Sequence, residues 1–373
     1  MRLINATKMQ AGYTMGLQPD GRELLVVVVK GTFTIPPPGE EPKLAEKQVP
    51  LVEADAFTGE PGLSAPLYET DYTPRKPRCD VLLNGSAHAP FGKPVERVRV
   101  SLRVGSLTKS FDVVGNRIWQ AGFLSYSVGK PEPFTVMPIS YNNAFGGVDR
   151  SQEDPAMHHW YPANHAGSGY HEHTAAKYLD GKRMPNTEES GHPVTRPNGK
   201  YRPMAFGPIG RAWQPRPTFA GTYDQEWLDN VFPFLPADFK EEYYQAAPAD
   251  QQMDYPKGGE DVVLENLTPG GRTIFKIPNL DVPIEFVLRS GQPKEMIAVI
   301  DTVVIESDLG RFLLLWRASL PLRRNIFEVP QVVVGTMSPG WYRARAVGKP
   351  YRRSLEGVRM TKGPRGWNAE QST

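Results

Sequence analysis

Six of the seven histidines fall in one stretch: His158, His159, His165, His171, His173 and His192. On a strand, His171 and His173 would project from the same side, giving two imidazole ligands in an arrangement that zinc accepts. A metal-dependent hydrolase using the 158–192 loop is therefore one reading. The pattern is incomplete, because HExxH and CxxC spacings are absent and the one adjacent carboxylate, Glu172, would face the other way. A polar surface loop explains the histidines more simply, and no metal ligand is assigned.

Other chemistries fare no better. The nucleophile elbow GxSxG is absent, and no serine sits in a context that argues for activation. The lone cysteine, Cys79, lies in the apolar run CDVLL and reads as a buried strand thiol. Gly167-Ser168-Gly169 has the glycines of a phosphate turn but no amphipathic helix after it, and there is no P-loop. Asp229, Asp238, Glu260 and Asp261 could supply an acid/base pair of the glycosidase kind, but so could many carboxylates in a chain with Asp+Glu 41. No catalytic residue and no cofactor is assigned, and the chain is read as a non-enzyme.

The elements that would position such groups are mainly β, expected as antiparallel, sandwich-like sheets in two lobes. In the first lobe, residues 1–140, Glu23–Ile35 is a Val-rich run closed by Pro36, Pro37 and Pro38. Cys79–Asn84 is a second run, and Val95–Val104 alternates Val98, Val100, Leu102 and Val104 against Arg97, Arg99, Ser101 and Arg103, a strand with one wet side. A hairpin-length loop at Gly105–Lys109 leads to Phe111–Val114, and Pro133–Ile139 is an edge candidate. In the last lobe, 261–340, Gly271–Ile277, Pro283–Arg289, Met296–Glu306, Arg311–Ala318 and Val329–Gly335 are β-branched or aromatic runs. From 341 to 373 the chain is basic and lacks a core-facing pattern, which predicts a mobile tail.

Between the lobes, residues 141–260 lose periodicity and become a long Pro/Gly/aromatic-rich loop region with a few short helices. Tyr201–Phe239 carries Phe206, Trp213, Phe219, Tyr223, Trp227, Phe232 and Phe234, interrupted by Pro203, Pro208, Pro215, Pro217, Pro233 and Pro236. Each large aromatic can bury roughly 150–250 Å², so this stretch predicts a belt packed on a scaffold. Thr222–Asn230, capped by Thr222, and Ala237–Ala247, ended by Pro248, are its expected helices. Trp213, Arg216, Tyr223 and Trp227 are candidate partner-binding anchors, because Trp, Tyr and Arg are enriched among interface hot spots; core filling is the competing reading.

Composition bounds the class. With 373 residues, Gly 35 and Pro 37, the chain is folded but loop-rich. A net charge of +2 is not the footprint of a nucleic-acid binder. The charge is uneven, acidic from Thr222 to Asp261 and basic from Arg343 onward, which suggests either solvated faces or a surface for an acidic partner. The longest apolar runs, Leu24–Val29 and Phe312–Trp316, fall short of the roughly 20 residues of a membrane span. MRLINATKMQ has no apolar stretch of signal-peptide form, and one cysteine permits no internal disulfide, so a cytoplasmic, reducing location is expected.

Several motifs in order carry a resemblance: Asp71-Tyr72-Thr73-Pro74, GSAHAPFGKP ending at Pro94, Gly115-Asn116-Arg117-Ile118-Trp119, Ala144-Phe145-Gly146-Gly147, Pro185-Asn186 with Glu188, Trp213-x-Pro215-Arg216, Ala220-Gly221-Thr222-Tyr223-Asp224, Leu235-Pro236-x-Asp238-Phe239 and Leu315-Trp316-Arg317. Over roughly Asn5 to Ser319 the chain resembles the bacterial family called domain of unknown function 2169. The loop Asn164-His165-Ala166-Gly167-Ser168-Gly169 departs from the Asn-Pro-x-Gly-x-Gly form usual there. The resemblance implies a cytoplasmic adaptor or chaperone of the type VI secretion system, which binds an effector, often one with a PAAR domain, and assists its loading onto the VgrG spike. It brings no catalytic residues. A structural or carbohydrate-binding β module of the secretion apparatus is the remaining alternative.

Overall fold

The computed structural model describes residues 1–122, 125–349 and 351. The longer strands are β1 (Arg2–Asn5), β2 (Gln10–Leu17), β3 (Glu23–Thr34), β4 (Cys79–His88), β5 (Arg97–Val104), β6 (Leu107–Val114), β7 (Val136–Ile139), β8 (Asp261–Glu265), β9 (Arg272–Lys276), β10 (Pro283–Val287), β11 (Pro293–Ile297), β12 (Val299–Glu306), β13 (Arg311–Pro321) and β14 (Gln331–Val334). The protein is mainly β, as its β-branched runs predict. Three short α-helices accompany the strands among the described residues: α1 (Ala176–Leu179), α2 (Gln225–Asn230) and α3 (Pro339–Ala346).

The main sheet runs in the order β7-β4-β12-β13-β3-β2, with Gln252–Met253 added to β4 and Lys43–Leu44 to β3. Strands from 1–140 and from 261–340 are thus interleaved: β13 pairs with β3 along its whole length, from Arg311 opposite Thr34 to Pro321 opposite Leu24. A second sheet runs Thr187–Glu188, β6, β5, β8, β9, and a third runs β1-β14-β10-β11. Most pairings are antiparallel. Within these three sheets two are parallel, β4 with β12 and β1 with β14, and each joins strands far apart in sequence, where no tight hairpin is required.

The three sheets enclose one continuous core. Val27 and Val29 of β3, Val81 and Leu83 of β4, Val303 and Ile305 of β12, and Phe312, Leu314 and Trp316 of β13 face Val98, Val100 and Leu102 of β5 and Phe111 of β6. The alternation in β5 is realised, with the valines and leucine buried and the arginines exposed. The run Leu24–Val29 does not alternate because it is buried on both faces.

Some boundaries differ from expectation. The run Met296–Glu306 breaks at Ala298, whose N–H donates to Val282 O, and its two halves enter different sheets. Pro133–Ile139 shortens to β7, at the sheet edge where Pro138 is tolerated. The expected helix Ala237–Ala247 is only a single 3-10 turn, Glu241–Tyr244. Its backbone donors are drawn to other elements: Lys240 N–H goes to Phe219 O and Ala246 N–H to Asp80. At the other end, α3 occupies the start of the region read as a basic tail, capped by Ser338 and held by Arg345 to Glu285 at 3.2 Å. The basic residues from Arg352 onward lie outside the described residues.

Candidate functional site

Lys30 and Arg317 are charged residues inside apolar strands, in LLVVVVKGTFT and RFLLLWRASLP, and both are buried. They lie on the face of the main sheet away from the large core, and a buried charge needs a partner. The segment 50–80 supplies it. Lys30 Nζ donates to Asp71 at 2.9 Å and to Pro50 O at 3.1 Å. Arg317 Nη1 donates to the carbonyls of Asp71 and Thr73 at 2.9 and 2.6 Å, and its Nε to Asp301. Lys76 Nζ donates to Asp80 at 2.7 Å and to Thr302 Oγ1 at 3.0 Å. Asp80 also accepts from Gln245 Nε2 at 2.5 Å and from the Ala246 N–H at 2.8 Å. Gln251 Nε2 bridges Val81 O and Phe206 O, both at 2.8 Å. These polar clamps fasten the unpatterned chain onto the sheet.

The clamps are structural rather than reactive. Burial pulls the Lys76 ammonium down, but Asp80, Asp301 and Glu69 outweigh it and hold the group above its ordinary value, which keeps it protonated and non-nucleophilic. Burial pushes the Cys79 thiol well above its ordinary value, so it is no thiolate.

Two of the four proposed anchors belong to this fastened region. Trp213 is buried in the core with its ring edge-on to Tyr141 at 5.6 Å, and Arg216 is 2% exposed. Arg216 donates from Nη1 to Ile209 O at 2.9 Å, from Nη2 to Glu69 at 2.7 Å and to Tyr243 O at 2.8 Å. Arg211 joins the same carboxylate at 2.9 Å and Asp55 at 2.8 Å. Together with His165, whose imidazole burial pulls down, these groups line a cleft of about 220 Å³ between the Ala56–Tyr68 hairpin and the belt. Both guanidinium groups are already matched by carboxylates, so the cleft offers no free charge for an ionic ligand.

The histidines scatter. His171 and His173 are not on a strand. His173 donates its N–H to Asp149 at 2.9 Å, and its Nδ1 lies 3.0 Å from the same carboxylate. His158 Nε2 is 3.1 Å from Gln152 O, and His165 lies against Trp160 and Trp213. Among the described residues, no three His, Cys, Asp or Glu side chains are grouped to hold a metal ion. The four candidate carboxylates are engaged apart from one another: Asp238 accepts from the Thr222 N–H and hydroxyl, Asp229 from Gln225, Glu260 from the N–H groups of Lys257 and Gly258, and Asp261 pairs with Lys276. Ser168–Gly169 pairs in parallel with Phe145–Gly146, a close backbone crossing rather than a phosphate loop.

Asp149 gives this region a pH signature. Burial pushes its carboxyl up, but the hydrogen bonds from His173 and Ser151 outweigh burial and hold it well below the ordinary 3.8. A folded value below the unfolded one contributes stability that is full above pH 3.8 and lost as the pH falls further. Urea unfolding from about pH 6 to about pH 3 is expected to show an Asp149→Asn variant less stable than the parent at the upper end, with the gap closing toward the lower. A constant gap would refute this assignment.

The other two anchors sit on a knob. In α2 the N-cap is Asp224, accepting from the Trp227 N–H at 2.9 Å, because Thr222 is already tied to Asp238. Trp227 is half-buried, donates Nε1–H to Phe234 O at 3.0 Å and packs edge-on to Tyr223 and Phe232 at 4.8 and 5.6 Å. It is thus the internal support of a small aromatic cluster whose outer members are in water: Tyr223 is 54% exposed and Phe232 61%, with Leu228 and Phe234 also exposed. Phe234 seats against Gly21, whose φ of +80° and lack of Cβ are both needed; a Cβ there would lie 2.9 Å from the ring. That seat places the knob by the β2–β3 hairpin. The strand β2 is the outermost of the main sheet, and Tyr13, Met15 and Leu17 on it are exposed. The sequence offered Tyr223 and Trp227 as anchors, placed Phe232 and Phe234 only in the belt, and did not single out the β2 edge. The period-2 run of Tyr13, Met15 and Leu17 was the signal available.

Together these features make a mainly β scaffold with a belt clamped across one sheet face and an aromatic knob beside its outermost strand β2. The chain belongs to the bacterial family described as "Uncharacterized protein conserved in bacteria (DUF2169)", whose model matches residues 20–317. No curated protein and no solved structure matches it. No helix among the described residues is long and apolar enough to cross a membrane.

Proposed function

We propose that this protein is a non-enzymatic adaptor that works in the cytoplasm of the producing cell, where it binds a type VI secretion effector, one associated with a PAAR domain, and assists its loading onto the VgrG spike. Family membership supports the reading. The single observation that favours capture of a protein is the knob, with Tyr223, Leu228, Phe232 and Phe234 in water beside β2, which among the described residues pairs on one side only. Exposed aromatics on a rigid support suit a hot spot, and an open strand edge suits addition of a partner strand. Trp213 and Arg216 serve the scaffold, Trp227 supports the knob, and Tyr223 with Phe232 makes contact.

Deleting the gene is expected to abolish delivery of the effector encoded beside it while secretion by the rest of the apparatus continues. Tyr223→Ala/Phe232→Ala, which leaves the core intact, is expected to lower stability by about 1 kcal/mol each through the lost contacts with Trp227 and to weaken co-purification with that effector at least about tenfold. Normal delivery in the deletion strain would overturn the function, and undiminished co-purification would overturn the contact surface.

A further inference from the structure

We propose that the groove between the β10–β11 turn and the segment after β13 binds an extended, acidic segment of another protein. The groove has a volume of about 480 Å³. Its floor is apolar, from Leu288, Leu320 and Leu322, and four exposed cations line it: Arg289, Lys294, Arg323 and Arg324. The one carboxylate in its lining, Glu328, is already engaged. It accepts from the backbone N–H groups of Arg323 and Asn325 at 3.2 Å each and from that of Arg324, closing the 3-10 turn Ile326–Glu328 as a capping box. Arg289 Nε donates to Phe327 O at 2.6 Å, which fixes its guanidinium at the rim. Among the described residues none of the four cations has a carboxylate partner within 4.0 Å. Four like charges around one cavity raise each other's energy, and an acidic ligand relieves all of them together.

The geometry favours a peptide over a nucleic acid. An extended chain presents alternate side chains to opposite sides, so carboxylates alternating with apolar residues meet a cationic rim and an apolar floor in one register. Phe327, 68% exposed, offers a further apolar contact at the mouth. Lys294 lies on β11, which among the described residues is the outermost strand of its sheet and pairs on one side only, an edge that suits a bound strand. A nucleic acid site draws on about 6–10 phosphate contacts along a basic track, and this groove supplies four cations on a chain of net charge +2. The proposal is independent of the secretion reading and concerns a different surface from the knob.

The test is fluorescence anisotropy on the full chain with a labelled peptide of repeating Glu-Leu-Glu-Phe, the same peptide with Gln for Glu, and a labelled oligothymidine. The acidic peptide is expected to bind, with affinity falling as salt rises. The Gln peptide and the Arg323→Glu/Arg324→Glu variant are each expected to weaken it at least about tenfold, and Arg343→Glu/Lys349→Glu, basic positions elsewhere, to leave it unchanged. All substituted positions are exposed or half-buried, and the urea midpoint verifies folding; Lys294→Glu serves as a second variant should the double reversal misfold. Absence of peptide binding, equal affinity for the Gln peptide, indifference to charge reversal in the groove, or tighter binding of the oligothymidine would each overturn the proposal.

Discussion

Replacing Asp80 by alanine is expected to remove about 3–5 kcal/mol of folding stability, the cost of leaving a buried charge without its partner. Asp80 is fully buried at the start of β4 and holds three groups at once: the Lys76 ammonium, the Gln245 amide and the Ala246 N–H. Alanine takes the ion-pair partner from the buried Lys76 ammonium, leaving it the Thr302 hydroxyl and the fields of Asp301 and Glu69, and frees the 245–246 segment from the sheet. Asn at this position keeps hydrogen-bonding capacity without the charge and should lose less. A Lys76→Met/Asp80→Leu pair removes the charge and its partner together and should recover a large part of the loss. Urea unfolding of the four proteins checks this; an alanine variant within about 1 kcal/mol of the parent would mean that the clamp is not what holds the belt.

The second large effect is expected at Arg216. Arg216→Ala takes the donors from Ile209 O and Tyr243 O and one of two cations from Glu69, while Arg211 remains on that carboxylate. One buried and one partly buried carbonyl without donors, at about 1–3 kcal/mol each, outweigh what the retained Arg211 contact saves, so a loss of about 3 kcal/mol is expected. Thermal and urea midpoints would both fall. The result separates two roles for a residue type common at hot spots: a variant that keeps its midpoint but loses its partner would restore Arg216 as an anchor.

The strands were legible because burial imposes a period. In β5 the alternation of Val98, Val100, Leu102 and Val104 with arginines states which side faces the core, and in β3 the unbroken valines state that both sides are covered. What covers the second side is not written in β3. It is fixed by Asp71, Asp80 and Gln245, polar residues in loops whose spacing has no period and whose partners are remote in sequence. Lys30 and Arg317 were the visible trace, each a cation in an apolar strand that must be matched. The helix expected at Ala237–Ala247 failed for the same reason: local propensity could not register that Ala246 donates to Asp80. At the site, residue type pointed to Trp213 and Arg216, yet type does not distinguish a core anchor from a contact residue. Exposure separates them: Trp213 and Arg216 are buried, Trp227 is half-buried, and Tyr223, also named from its type, stands in water with Phe232.

Because β13 is inserted between β3 and β12, Leu24–Val29 has no neighbour on that side until residues 311–321 exist. On the ribosome, about three hundred residues of nascent chain therefore emerge before this valine strand can be enclosed, and the order of translation opposes the order of assembly. Domain-by-domain folding during synthesis is closed to the main sheet. The polypeptide depends on late, long-range closure, so the valine strand lacks its inner neighbour through most of synthesis.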